Sequence, residues 1–66
     1  MITEIGIIAG EIWHYLEKHN IVLLEDLVEG IKRPRDLVLM SLGWLSREGH
    51  VLVDDTTLNY KICLRE

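Results

Sequence analysis

The chain has little of what normally stabilises a very small protein. Its 66 residues include one cysteine, one proline and no phenylalanine. The single cysteine, Cys63, excludes an internal disulfide, and no pairs of Cys and His occur at the spacing of a zinc site. A domain of this size buries only about 60% of the surface of its unfolded chain. Self-association is therefore the expected supplement to its core.

Basic residues and long apolar runs are also scarce. Seven Lys and Arg stand against eleven Asp and Glu, which gives a net charge of −4 at pH 7. Because a duplex-binding domain normally carries a basic excess, this balance disfavours DNA as a partner. No apolar run is long enough to span a bilayer, and no signal-peptide pattern occurs. The sequence thus predicts a cytoplasmic protein with no role in a membrane.

Catalytic and ligand-binding motifs are missing as well. The sequence contains no phosphate-cradling loop, no HExxH and no serine elbow. Glu11, His14 and Lys18 follow one another at one-turn spacing, which fits a solvated helix face better than a metal site. Cys63 has no matched base nearby in sequence and is predicted to be a small packing residue. We therefore expect no enzyme activity, no cofactor and no metal.

What the sequence does contain is a regular succession of helical and strand patterns. Thr3 is predicted to cap a first helix that ends near His19, with Asn20 as its stop. The apolar residues of this helix repeat at three- and four-residue steps and share one face: Ile5, Ile8, Ala9, Ile12 and Leu16. Residues 21–23 are predicted to form a short strand, and residues 25–30 a short second helix.

A third helix and a hairpin follow. The helix is predicted over residues 35–48, and Gly49 ends it. At about 100° per residue its buried stripe consists of Val38, Ser41, Leu42 and Leu45. Residues 50–53 and 58–64 alternate as two strands around the polar tip 54–57. This order predicts one α+β domain over residues 1–66, a small winged helix-turn-helix with three helices, a short strand and a C-terminal β-hairpin wing.

Two segments carry a narrower resemblance. The first contains Gly6, Ala9-Gly10, Ile12-Trp13 and Leu16, and the second contains Leu42-Gly43-Trp44-Leu45 followed by Arg47-Glu48. Together they resemble a family of short, stand-alone winged helix-turn-helix proteins catalogued as a domain of unknown function. The resemblance covers nearly the whole chain. It implies the fold and a link to DNA binding or regulation, and it supplies no catalytic residues.

The outward face of the third helix is predicted to differ from that of a DNA reader. Its predicted members are Asp36, Leu39, Met40, Gly43, Ser46 and Arg47. Base edges are usually contacted by Arg, Lys, Asn or Gln, and Arg47 is the only such residue here. Leu39, Met40 and Gly43 instead form an apolar strip with Trp44 at its edge, as expected of a protein-binding surface. The alternative is that the wing or the N-terminus of the same chain covers this strip.

The first helix raises a similar question. Ile7 is predicted to face away from the core, which makes it a further candidate interface residue beside Leu39, Met40, Gly43 and Trp44. Gly6 and Gly10 lie four residues apart, and internal packing against the wing or another helix is the favoured explanation for them. Taken together, these features favour a homodimer.

DNA binding would depend on a few cations. Lys32, Arg33 and Arg35 surround the turn before the third helix, and Arg47 lies at the end of that helix. Well-anchored DNA-binding proteins use about 6–10 phosphate contacts, more than this chain offers. Asp54 and Asp55 place negative charge at the wing tip, where many winged helices carry a basic residue. The alternative for the turn is that it is solvated and that its cations form ion pairs within the chain, with Glu25, Glu29 or Asp36.

The leading hypothesis is therefore a non-catalytic winged-helix module that binds protein, including a second copy of itself, in a regulatory role. The alternative is a DNA-binding transcriptional regulator that uses the third helix and the preceding basic turn. A continuous basic stripe around the third helix and wing would favour DNA. An apolar or acidic surface there would favour protein.

Overall fold

The computed structural model describes residues 2–56 and 59–65, which contain three helices and a three-stranded sheet. The helices are α1 (Ile2–His19), α2 (Leu24–Ile31) and α3 (Arg35–Arg47). The strands are β1 (Val22–Leu23), β2 (Val51–Asp54) and β3 (Lys61–Leu64). Their order along the chain is the predicted one, and the predicted fold class is confirmed.

One apolar core joins the helices to the sheet. Four residues of α1 are buried in it, and all belong to the predicted stripe: Ile8, Ala9, Ile12 and Leu16. The buried residues of α3 are the four predicted ones: Val38, Ser41, Leu42 and Leu45. Leu27, Val51 and Ile62 complete the core from α2 and the wing. The hydroxyl of Ser41 donates a hydrogen bond to the carbonyl of Leu37 at 2.8 Å, so the one buried polar side chain described has a partner.

The ends of α1 match the prediction on one side only. Asn20 adopts the left-handed conformation with φ of 61° and donates its N–H to the carbonyl of Leu16, which ends the helix as expected. At the other end the helix begins at Ile2, so Thr3 lies in the first turn and the predicted cap at Thr3 is wrong. A cap contributes only about 1 kcal/mol, which is too little to fix where a helix begins to within one residue.

A short turn sets the position of α3. Lys32 ends α2 in the left-handed conformation, with φ of 59°. Pro34 then occupies the N-cap of α3, and its carbonyl accepts the N–H of Val38 at 3.0 Å. Because proline disfavours helical geometry at the preceding residue, Arg33 cannot continue the helix and the chain must turn. The result is the helix-turn-helix arrangement of α2 and α3.

The C-terminus of α3 explains why β2 begins later than predicted. Gly49 has φ of 80° and donates its N–H to the carbonyl of Ser46, while His50 donates to the carbonyl of Leu45. These two bonds form a Schellman motif. The motif requires a positive φ at position 49, which glycine adopts without strain. His50 therefore belongs to the end of the helix, and the predicted strand start at residue 50 is wrong by one residue.

The sheet has the strand order β1-β3-β2, with both pairs antiparallel. Ile62 lies in its centre, paired with Val22 on one side and Val53 on the other. β3 begins at Lys61 instead of residue 58, so the hairpin loop is wider than predicted. The parts of that prediction that concern Thr57 and Leu58 fall outside the described residues.

Candidate protein-interaction surface

The side of α3 that faces away from the core is largely apolar and open. We call this side the outer face of α3 and define it by six residues: Asp36, Leu39, Met40, Gly43, Trp44 and Arg47. The side chains of Leu39, Met40 and Trp44 are 39%, 44% and 48% exposed. The expectation that the outward face projects into solvent is confirmed, and Ser46 beside it is exposed as well. The alternative, a strip covered by the wing or N-terminus of the same chain, is wrong.

Gly43 leaves a gap in the middle of this face. A Cβ built at Gly43 would meet no atom within 4 Å. The same is true of Gly6 and Gly10, so the expectation that they pack against the wing or another helix is wrong. Gly30 provides the contrast, because a Cβ there would lie 2.5 Å from the ring of Tyr15. Internal packing therefore explains one helical glycine but not Gly43, which costs α3 about 1 kcal/mol relative to alanine.

Trp13, on α1, contacts the residue that precedes the wing. Its ring meets the ring of His50 edge-on, with centroids 4.9 Å apart. The large indole thus contacts the end of α3. Gly6 and Gly10 lie further toward the N-terminus of α1, outside that contact.

The two ends of the outer face carry opposite charges. Asp36 lies in the first turn of α3 and Arg47 in the last, where each interacts favourably with the helix dipole. Neither side chain has an ion-pair partner among the described residues. Asp36, Met40, Gly43 and Arg47 are spaced by four, three and four residues, so they follow one line along the helix. We call these four residues the ridge of α3.

Ile7 is exposed as predicted but lies elsewhere. It is on the solvent side of α1, whose opposite side is buried in the core that α1 shares with α3. The structure therefore gathers Leu39, Met40, Gly43 and Trp44 on one surface and leaves Ile7 outside it. The wing adds two exposed apolar residues that were not among the predicted interface residues, Leu52 and Val53.

The basic turn before α3 is occupied by ion pairs within the chain. Arg33 donates from Nε and Nη2 to the two carboxylate oxygens of Glu11, at 3.0 and 2.7 Å. Arg35 donates from Nη1 and Nη2 to the two oxygens of Glu25, at 2.8 and 2.9 Å. These hydrogen bonds lower the pKa of each carboxyl group and raise the pKa of each guanidinium. Two of the four candidate DNA-contacting residues are therefore already engaged.

The predicted partner was correct for one of these pairs. Glu25 was among the carboxylates expected near the turn, whereas Glu11 was not. No local sequence pattern predicts the second pair, because Glu11 and Arg33 come from segments that only the tertiary fold brings together. Within α1, His14 lies one turn from Glu11 in sequence. The Nδ1 atom of His14 instead lies 3.1 Å from a carboxylate oxygen of Glu17.

The remaining candidate cations do not form a stripe. Lys32 and Arg47 have no carboxylate partner among the described residues, and they lie at opposite ends of α3. Between them the outer face carries one acid and apolar side chains. At the wing, Asp54 and Asp55 are exposed, and Thr56 donates hydrogen bonds to the carboxylate of Asp54 that lower its pKa. The described surface around α3 thus has no continuous basic stripe, and the middle of its outer face is apolar.

The described residues offer little for chemistry. Within 2–56 and 59–65, no group of three His, Cys, Asp or Glu side chains is placed to hold a metal ion. Cys63 is a half-buried free thiol. No helix in these ranges combines the length and the apolar character needed to cross a membrane.

Three helices, a tight turn between the second and third, and an antiparallel sheet that ends in a hairpin define a winged helix-turn-helix protein. The chain belongs to the winged helix-turn-helix domain family DUF2582, a domain of unknown function, whose model matches residues 1–65. The resemblance carried by the two sequence segments is thereby confirmed. Neither a curated protein nor a solved structure matches the chain. Many winged helices bind DNA through their third helix, so the outer face of α3 is the surface to compare with that use.

Proposed function

We propose that this winged-helix domain is a non-catalytic regulatory module that binds protein, and a second copy of itself in particular, through the outer face of α3. The observation that carries the proposal is the exposed apolar strip of Leu39, Met40 and Trp44 around the open position at Gly43. In a DNA-binding helix-turn-helix protein the third helix presents side chains that hydrogen-bond to base edges. Here that position is taken by groups that gain most from leaving water.

The size of the surface predicts a reversible contact. A standard protein interface takes about 800 Å² from each partner, which is roughly a sixth of the 4673 Å² exposed by this chain. One face of a helix the length of α3 supplies less than that. Because association must also offset lost rigid-body freedom, we expect a dissociation constant in the micromolar range or weaker. A contact of this strength suits regulation by concentration.

The same residues make a poor duplex-binding surface. Arg33 and Arg35 each direct two donors at Glu11 and Glu25, and these carboxylates offset their charge, so a phosphate would compete with both pairs. Lys32 and Arg47 remain, against about 6–10 phosphate contacts in well-anchored complexes. The net charge of −4 adds long-range repulsion at low salt. These features support protein over DNA as the partner.

Two measurements on the whole chain test the proposal. Sedimentation equilibrium at high micromolar concentration should show self-association that Met40→Glu weakens at least tenfold, because the charge would be buried in the contact. Thr3→Glu adds the same charge at an exposed position outside the face and should leave association unchanged. Fluorescence anisotropy with a mixed-sequence DNA duplex should show no binding whose affinity falls steeply as the salt concentration rises from about 50 to 200 mM.

Two results would contradict the proposal. Duplex binding that weakens steeply with salt, and loses part of its slope in Arg47→Ala and Lys32→Ala, would overturn the proposal in favour of a DNA-binding regulator. A monomer at every concentration would remove the second copy as the partner.

A further inference from the structure

We infer that the second copy packs against α3 in antiparallel orientation about a twofold axis, with Asp36 of each copy opposite Arg47 of the other and Met40 opposite Gly43. This inference rests on the proposed function, because it specifies the partner and its register on the same face. The observation that carries it is the self-complementary pattern of charge and size along the ridge of α3.

The spacing of the ridge residues has a simple symmetry. The midpoint between Asp36 and Arg47 coincides with the midpoint between Met40 and Gly43. In an antiparallel pair of identical helices related by a twofold axis, each residue faces the residue that lies equally far beyond the midpoint. One register therefore matches an acid with a base at both ends. In the same register the long, flexible side chain of Met40 lies opposite Gly43, which has no side chain.

The opposite orientation gives no such match. In a parallel pair at the same register, Asp36 would face Asp36 and Arg47 would face Arg47, so like charges would meet at both ends. Met40 would meet Met40, and the two open positions at Gly43 would leave a gap between the helices. The antiparallel arrangement also places opposite ends of the two helix dipoles side by side.

The charges are not explained by a pair within one helix. Asp36 and Arg47 lie about 16 Å apart along the axis of α3, which is beyond the reach of their side chains. The helix dipole accounts for the sign of each charge but not for their alignment with Met40 and Gly43. Absence of a Cβ at Gly43 allows the two helices to approach at the short end of the usual 8–10 Å range. Leu39 and Trp44 lie on the two flanks of the ridge, where they would shield this contact from water.

Charge reversal tests the register directly. Asp36→Lys and Arg47→Glu should each raise the dimer dissociation constant by about tenfold, since every dimer contains the altered contact twice and like charges then meet. The double variant Asp36→Lys with Arg47→Glu restores opposite charges across the axis. Its dissociation constant, measured by sedimentation equilibrium at low salt, should return to within about threefold of the original.

Matched controls separate this effect from a change in net charge. Glu29→Lys changes the net charge as Asp36→Lys does, and Lys18→Glu changes it as Arg47→Glu does, but both positions are exposed and outside α3. Both controls should leave the dissociation constant nearly unchanged, and circular dichroism should show the same helix content in all variants. The register is overturned if the single reversals behave like their controls, or if the double variant stays as weak as the singles.

Disulfide trapping gives a second, independent readout. In a Cys63→Ser background, chains with Asp36→Cys are mixed with chains carrying Arg47→Cys and oxidised. The antiparallel register brings these two positions together, whereas two copies of the same position lie about 16 Å apart, beyond the roughly 7 Å Cα limit for a disulfide. Mixed disulfides should therefore dominate. Bonds between two copies of Asp36→Cys would indicate a parallel pair and overturn the inference.

Failure of this inference differs from failure of the proposed function. If Met40→Glu dissociates the protein while the charge reversals match their controls, the face is correct and the register is wrong. If Met40→Glu leaves association unchanged, the outer face of α3 is not the contact, and the proposed function fails with the register.

Discussion

The two sides of α3 are both apolar, yet only one of them is covered. On the inner side Val38, Leu42 and Leu45 are packed in the core against α1 and the sheet. On the outer side Leu39, Met40 and Trp44 have similar apolar character and lie in contact with solvent. The fold buries the first set almost completely and covers the second only in part. The comparison therefore separates residues needed for stability from residues available for binding.

The largest expected effect comes from the inner side. Leu45→Ala removes a side chain that is 2% exposed and should lower the free energy of unfolding by about 2–5 kcal/mol. Such a loss is comparable to the whole stability of a domain this small. Leu39→Ala makes the same type of change on the outer side, and we expect a loss within about 0.5 kcal/mol. Urea denaturation of dilute protein measures both, and equal losses would mean that the two sides are not distinct.

The second effect isolates association. Met40→Glu should raise the dissociation constant of the self-association at least tenfold, because a carboxylate would lose water in the contact. The unfolding free energy of the monomer should change by only about 0.5 kcal/mol, since Met40 is outside the core. Parallel losses of stability and association would show that Met40 acts through the fold instead.

Gly43→Ala should move stability and association in opposite directions. Because nothing lies within 4 Å of the added Cβ, alanine should stabilise α3 by up to about 1 kcal/mol. The same methyl group would occupy the space left for Met40 of the second copy and weaken association severalfold. Gly10→Ala, at an equally open position in α1, is the control and should increase stability alone. Increased stability with unchanged association at Gly43 would contradict the antiparallel contact.

The smallest effect concerns the ion pairs at the turn. Since the pKa of Glu11 and of Glu25 is lowered below the ordinary value of 4.5 in the folded protein, both pairs stabilise the fold above that value. Their contribution is lost as the pH falls through the lowered pKa values. The groups are solvent-exposed, so the loss should be small. Thermal denaturation from pH 6 to pH 3 should show it, and the double variant Glu11→Gln with Glu25→Gln should show less of this acid-induced loss.

The double glutamine variant also sharpens the comparison with DNA. It frees Arg33 and Arg35 and makes the net charge less negative by two. If the carboxylates are what keeps this winged helix from binding phosphates, duplex affinity at low salt should rise in the variant. Unchanged duplex affinity would show that the outer face of α3, and not the occupied turn, excludes DNA.

Helical periodicity is why both sides of α3 were predictable from sequence. A period of 3.6 residues fixes the direction of every side chain once the core face is known, so the inner stripe and the outward positions followed together. The same rule predicted Ile7 to be exposed. It could not place Ile7 relative to α3, because that depends on how two helices pack. Nor could it show whether Gly6 and Gly10 are covered, since one spacing fits both cases.

Contacts between distant segments account for what the sequence did not predict. Local spacing rules find partners on one helix or across one turn, and Glu11 meets Arg33 by neither route. The start of β2 shifted for a different, local reason. His50 has the neighbours of a strand residue in sequence, but its N–H completes the end of α3. The competition between those two roles is decided by the positive φ at Gly49.

The most direct test is a residue-resolved dilution series. Amide and indole signals of the ¹⁵N-labelled chain would be followed from about millimolar to low micromolar concentration, a range that brackets the expected weak dimer. We expect the signals of Leu39, Met40, Gly43 and Trp44 to shift together with concentration while those of Lys32 and Arg33 stay in place. Signals independent of concentration, combined with shifts at Lys32, Arg47 and the wing on addition of a duplex, would contradict it.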